Sequence, residues 1–193
     1  MYLHNAKGEI IGGKDERLFV TAITKSMCAL AAELGDAYTA ICASDPSATD
    51  ADFFYLRNLD DRDLHIFKIK AWLDDGCTGD VHEISVKTGV TGSPTSGTTV
   101  TPVNLKANSG RRAKVTCEHR DGDMALTGGS TVDIIRLFRA ATVNGSIAEK
   151  EFKYDPEIIL PYGEALILNN DVDPVGVDFD VIVWFYFHSR LSD

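Results

Sequence analysis

No apolar run in this chain approaches the about 18 residues that a membrane-spanning helix needs. Its first residues, MYLHNAKGEIIGG, have neither the basic stretch nor the continuous apolar core of a secretory leader. The expectation is a protein made in the cytoplasm with no membrane partner. Positive charge is scarce: 19 Lys and Arg stand against 29 Asp and Glu, a formal charge of -10 that repels phosphate backbones. Nucleic acid is therefore not an expected partner.

Catalytic punctuation is also missing. The four cysteines, Cys28, Cys42, Cys77 and Cys117, show neither CxxC nor Cys/His zinc spacing, and read as buried thiols, with a disulfide between two of them left open to what the fold brings together. The five histidines, His4, His65, His82, His119 and His188, form no HxH or HExxH pattern, although His65 and His82 fall in neighbouring predicted strands that can meet across a sheet. There is no G-x-S-x-G elbow and no phosphate-binding glycine loop. Acidic clusters at Asp60, Asp61 and Asp63, at Asp74, Asp75 and Asp80, and within NNDVDPVGVDFD lack the regular spacing of a calcium loop and read as solvated turn carboxylates. The chain is expected to be a non-enzyme without a cofactor or a metal.

What is present is β patterning, strongest at the end of the chain. In residues 177–188 (VDFDVIVWFYFH), Val177, Phe179, Val181, Val183, Phe185 and Phe187 take every second position. A strand sends alternate side chains to opposite faces, so these form a core face. The other face starts acidic with Asp178 and Asp180, then turns large and apolar at Ile182, Trp184 and Tyr186. A half-wet strand would stay polar there. Those three side chains call for a cover, supplied either by another segment of the chain or by another subunit.

Upstream, residues 1–16 show no sustained period and read as an N-terminal arm carrying Ile10 and Ile11. Residues 17–193 read as one β-sandwich domain, a size that sandwiches commonly reach without splitting. Residues 17–24 (RLFVTAIT) are strand-like. Residues 26–34 have helical spacing, with Ser26 placed to cap the start and Gly35 the end. Strands are expected at 37–43, 53–57, 64–73, 81–87, 98–105, 113–119, 131–139, 147–154, 157–160 and 164–168. In the fourth of these, counting 17–24 as the first, Phe67, Ile69, Ala71 and Leu73 share one face. Residues 88–97 and 121–130 read as projecting loops, and Pro161-Tyr162-Gly163 as a tight turn. Short strands at intervals of roughly ten residues, without βαβ alternation, predict an all-β, antiparallel, jelly-roll-like sandwich.

The pieces SGTTVTPVNLKANSGRRA, STVDIIRLFRA, PEIILPYGEALILNN and VDFDVIVWFYFH resemble capsid decoration (cement) proteins of tailed phages and related head-fibre knob domains. The most specific parts are T-V-T-P-V-N-L at 99–105 and I-L-P-x-G-E at 159–164. The resemblance spans about residues 17–188 and implies a trimeric virion protein on the outer face of the capsid that bridges neighbouring copies of the major capsid protein. On that reading Ile182, Trp184 and Tyr186, with Ile10 and Ile11 of the arm, are the candidate homo-oligomer interface. The alternative is a glycan- or receptor-binding knob that uses the loops at 88–98 and 121–130.

Overall fold

The computed structural model describes residues 26–46, 50–73, 81–138, 149–171 and 179–188. Its elements are α1 (Met27–Leu34), β1 (Ala37–Ser44), β2 (Ala51–Asn58), β3 (Asp63–Leu73), β4 (Val81–Thr91), β5 (Thr98–Thr99), β6 (Val103–Asn104), β7 (Val115–His119), β8 (Thr127–Phe138), β9 (Glu149–Leu160), β10 (Ala165–Asn170) and β11 (Phe179–His188). The expected arm at 1–16 with Ile10 and Ile11, the expected strand at 17–24, the acidic turn at 74–80 and most of NNDVDPVGVDFD lie outside the described residues.

Two antiparallel sheets face each other. One runs β6-β1-β11-β3-β9 and the other β5-β7-β2-β10-β4-β8. Without the short strands β5, β6 and β7, the orders β1-β11-β3-β9 and β2-β10-β4-β8 are those of an eight-stranded jelly roll, the double Greek key in which the chain alternates between sheets. The segment between β4 and β8 supplies the additions: β5 and β7 extend the second sheet past β2, and β6 extends the first past β1. The single strand expected at 98–105 is split because Pro102 cannot donate a ladder hydrogen bond. Val100 tucks inward between the halves, its N–H on the Cys117 carbonyl at 2.8 Å.

The alternation in β11 is obeyed. Phe179, Val181, Val183 and Phe185 are fully buried and Phe187 is 4 % exposed. Phe179 stacks on Phe53 of the opposite sheet, with ring centroids 5.4 Å apart, and meets the edge of His82. Each fully buried Phe contributes about 2–3 kcal/mol of transfer free energy. The sheets place His65 on β3 and His82 on β4, so the two histidines sit in different layers and do not pair.

The expected helix forms where its caps predict. The Ser26 hydroxyl accepts from the Ala29 N–H, and Gly35 takes φ 78°, closing the C-terminus through its own N–H and that of Asp36. The turn at 161–163 closes with the Glu164 N–H on the Pro161 carbonyl at 3.0 Å. The two expected loops are shorter than their composition implied. Residues 88–91 remain in β4 and pair with 127–130 of β8, glycine meeting glycine-rich strand, and Met124 of the intervening loop is fully buried against Tyr55 and Ile167 on the outer face of the second sheet. Among the described residues no helix is long and apolar enough to cross a membrane.

An ion network ties α1 to the strand ends. Asp60, 2 % exposed, holds Arg62 through both carboxylate oxygens at 2.9 and 3.1 Å, and Arg62 reaches Asp36 at 3.0 Å, which also takes Arg111 at 2.7 Å. Arg62 holds the Asp60 carboxyl well below the usual carboxylate range. A depressed carboxylate adds stability above its unfolded pKa near 3.8 and loses it as pH falls below that value. Asp60→Asn is expected to cost about 2 kcal/mol in urea melts at pH 7, from the lost charged hydrogen bonds. The gap from wild type should shrink at pH 3; an equal gap at both pH values would refute this account.

Candidate functional site

The outer face of the first sheet holds an exposed apolar strip and a groove of mixed chemistry. Register defines its rows. Val103, Thr39, Trp184 and Lys68 lie side by side across β6, β1, β11 and β3; Ile41, Ile182 and Lys70 form the next row. Val103 is 61 % and Ile41 56 % exposed, while Ile182 and Trp184 are half-buried. The Lys68 ammonium sits 3.9 Å from the Trp184 ring centroid, and Lys70 sits 5.4 Å from that of Trp72. Both are cation–π contacts in which the ammonium lies over the ring face.

Tyr186 is different. It is 2 % exposed and packs with Ala31 and Ala37, flanked by Cys28, Ala32 and Phe67. The cover that its apolar side requires is supplied by the chain's own helix α1, which removes Tyr186 from any surface a second copy can reach. Ile182 and Trp184 stay at the outer face, joined by Ile41 and Val103, which the sequence reading did not single out. Their strands alternate too weakly around AYTAICA and TPVNLK to mark an outward side.

Beside this strip, a register irregularity in both ladders of β3 opens a groove. The β3–β11 ladder shifts between Trp184 and Phe185, and the β3–β9 ladder shifts between Ile66 and Lys68. Both irregularities bracket Phe67. The extra residue changes the phase of β3, so that Leu64 and Ile66 before it and Ile69, Ala71 and Leu73 after it all face the core. Phe67, expected on the core face with Ile69, turns instead to the outer side, against Tyr186 at 6.0 Å between centroids.

The groove, of about 700 Å³, lies between α1, β3 and β9. On its floor the Tyr186 hydroxyl donates to Glu157 Oε2 at 2.6 Å, and His65 Nδ1 lies 3.0 Å from the same oxygen. Since a carboxylate only accepts, Nδ1 carries the proton and Nε2 is left as an acceptor in the neutral ring. His65 is held flat on Tyr186, 5.0 Å between centroids, with His188 edge-on at 5.7 Å. Burial, reinforced by the Glu157 carboxylate, pushes the Tyr186 hydroxyl upward, so it stays a donor throughout the physiological range. Residues 65, 157 and 186 are distant in sequence, and only the β9-β3-β11 order brings them together.

Among the described residues, no group of three or more His, Cys, Asp or Glu is arranged to hold a metal ion. A second, smaller pocket on the other sheet is lined by Asp50, Asp52, Asp123 and Lys87. Its acids are already engaged: Asp52 accepts from Asn169 and the Leu126 N–H, Asp123 from the N–H groups of Asp52 and Ala125, and Lys87 pairs with Asp50. No protein-family model, curated protein or solved structure matches this chain.

The cysteines divide by exposure. Cys42 and Cys117 are buried, and burial pushes the Cys42 thiol up to about 12 and raises that of Cys117 as well. Cys28 is half-buried at the groove, its sulfur 3.0 Å from the Ser26 hydroxyl. Peptide mapping after brief iodoacetamide treatment at pH 8 should find Cys28 labelled and Cys42 and Cys117 slower by about a hundredfold or more, since the thiolate is the nucleophile. Comparable labelling of all three would contradict the burial described.

Proposed function

We propose that this protein is a structural subunit that assembles with copies of itself through the outer face of the first sheet, and serves as a decoration or cement protein on the outside of a phage capsid. The observation that carries the assembly is the contiguous strip of Val103, Ile41, Ile182 and Trp184, two of its members more than half exposed. Scattered exposed apolar side chains need no explanation, but a cross-strand cluster of them on one sheet face marks an interaction surface. Lys68, Lys70, Asp180 and Glu151 interleave beside it, so the face offers both signs of charge in a chain whose formal charge is -10. A stable contact buries about 800 Å² per partner, which requires the strip together with these flanking charges.

The capsid location rests on the sequence resemblance, and the jelly-roll strand order supports it as an architecture that virion proteins use. Trimeric symmetry belongs to the same proposal.

Size-exclusion chromatography with light scattering tests the assembly. Wild type is expected to run as an oligomer. Ile41→Glu and Val103→Glu, which alter exposed positions and so should shift stability by no more than about 0.5 kcal/mol, are expected to yield folded monomers. A wild-type monomer at tens of micromolar would overturn the reading. The capsid assignment is tested separately by antibody labelling of purified native particles in electron microscopy, where labelling of the outer shell is expected and its absence from the particle refutes it.

A further inference from the structure

We infer that the groove beside α1 is a binding site for a neutral saccharide, with Glu157 and His65 as the hydrogen-bonding floor and Phe67 as the apolar platform. The volume of about 700 Å³ falls in the range of small-ligand sites, about 300–1,000 Å³. Its lining combines an apolar wall, Met27, Phe67 and Ile159, with a few convergent polar groups on preorganised strands.

The chemistry narrows the ligand by elimination. A metal ion lacks a third ligand among the described residues. An anion would meet the Glu157 carboxylate and the nearby Asp155, while both lysines that border the groove, Lys68 and Lys153, already pair with Glu151 at 3.3 Å. A wholly apolar molecule would strip water from Glu157 and His65 and return no hydrogen bond, which costs roughly 1–3 kcal/mol per polar group. A ligand that brings hydroxyl donors on one side and a C–H face on the other satisfies both walls, and a pyranose ring is such a ligand.

The acceptors are in place for it. Glu157 spends Oε2 on Tyr186 and His65, which leaves the lone pairs of Oε1, and the proton on Nδ1 leaves His65 Nε2 as a second acceptor. Tyr186 and His65 hold the carboxylate from below, so it is oriented before any ligand arrives. The bulge that turns Phe67 outward puts an aromatic ring, 6.0 Å from Tyr186, in the same groove. This site differs from the loops at 88–98 and 121–130, and it stands or falls independently of self-assembly.

The test is a glycan array carrying neutral oligosaccharides of hexoses and N-acetylhexosamines beside sialylated and sulfated ones, with hits titrated calorimetrically against the full chain. At least one neutral glycan is expected to bind saturably, with tenfold or greater weakening in Glu157→Gln. Because Glu157 also anchors Tyr186, Ile159→Glu serves as a second variant. It alters a side chain 52 % exposed at the groove rim, outside the core, and should weaken binding without moving the melting temperature. No neutral hit, hits confined to acidic glycans, or binding unchanged in both variants would each overturn the inference.

Discussion

Strand β11 is hydrogen-bonded on both sides, to β1 from Ala37↔Tyr186 to Ser44↔Phe179 and to β3 from Phe179↔Leu73 to His188↔Asp63. A strand held between two ladders has its register fixed twice over, and a slip of one residue would carry Phe179, Val181, Val183 and Phe185 out of the core. With those four sealed between the sheets, the outward side chains have no freedom of position. Asp180, Ile182, Trp184, Tyr186 and His188 stand in one file, and each meets whatever the neighbouring strands and α1 put beside it. The central packing constraint thus also lays out the surface.

The outer file is covered unevenly because β3 is irregular. Had β3 kept strict alternation with Ile69 and Ala71 inside, Phe67 would have joined them and Leu64 and Ile66 would have turned out. The bulge resolves the conflict between these two apolar sets by inserting one residue, which lets both face inward and leaves Phe67 outside. On β9 the four residues 154–157 stand opposite Phe67 alone, so that strand leaves the straight ladder around Asp155, Pro156 and Glu157. The groove is therefore the geometrical remainder of satisfying the core, and α1, capped at Ser26 and Gly35, closes it over Tyr186.

Features set by local chemistry were legible in the sequence: the inward face of β11, both caps of α1, the turn at Pro161-Tyr162-Gly163 and the succession of short antiparallel strands. What depended on which strand pairs with which was not. His65 and His82 are neighbours in strand order but belong to opposite sheets, whereas His65, Glu157 and Tyr186 meet although no motif joins them. Phe67 was misplaced because a single inserted residue leaves no mark in a run such as LHIFKIKAWL, where either phase looks alternating. The loops at 88–97 and 121–130 were read from glycine and serine content, yet Gly128 and Gly129, with positive φ, sit inside a paired strand. Composition alone does not separate a bulged ladder from a loop.

The apolar strip and the groove share Lys68. Lys68 lines the groove, its ammonium rests over Trp184, and it reaches Glu151 on the neighbouring strand β9 at 3.3 Å. A second copy that packs directly on the Trp184 ring must compete with that ammonium for the same π face, and the lysine then turns further toward Glu151 and the groove rim. Charge displaced in that direction faces Glu157 and Asp155 in the groove lining. Any ligand that draws hydrogen-bonding strength from Glu157 therefore senses where Lys68 lies, and by thermodynamic reciprocity the ligand biases the strip in return. The proposed assembly and the proposed groove binding thus meet at one side chain, Lys68, rather than at a change of fold.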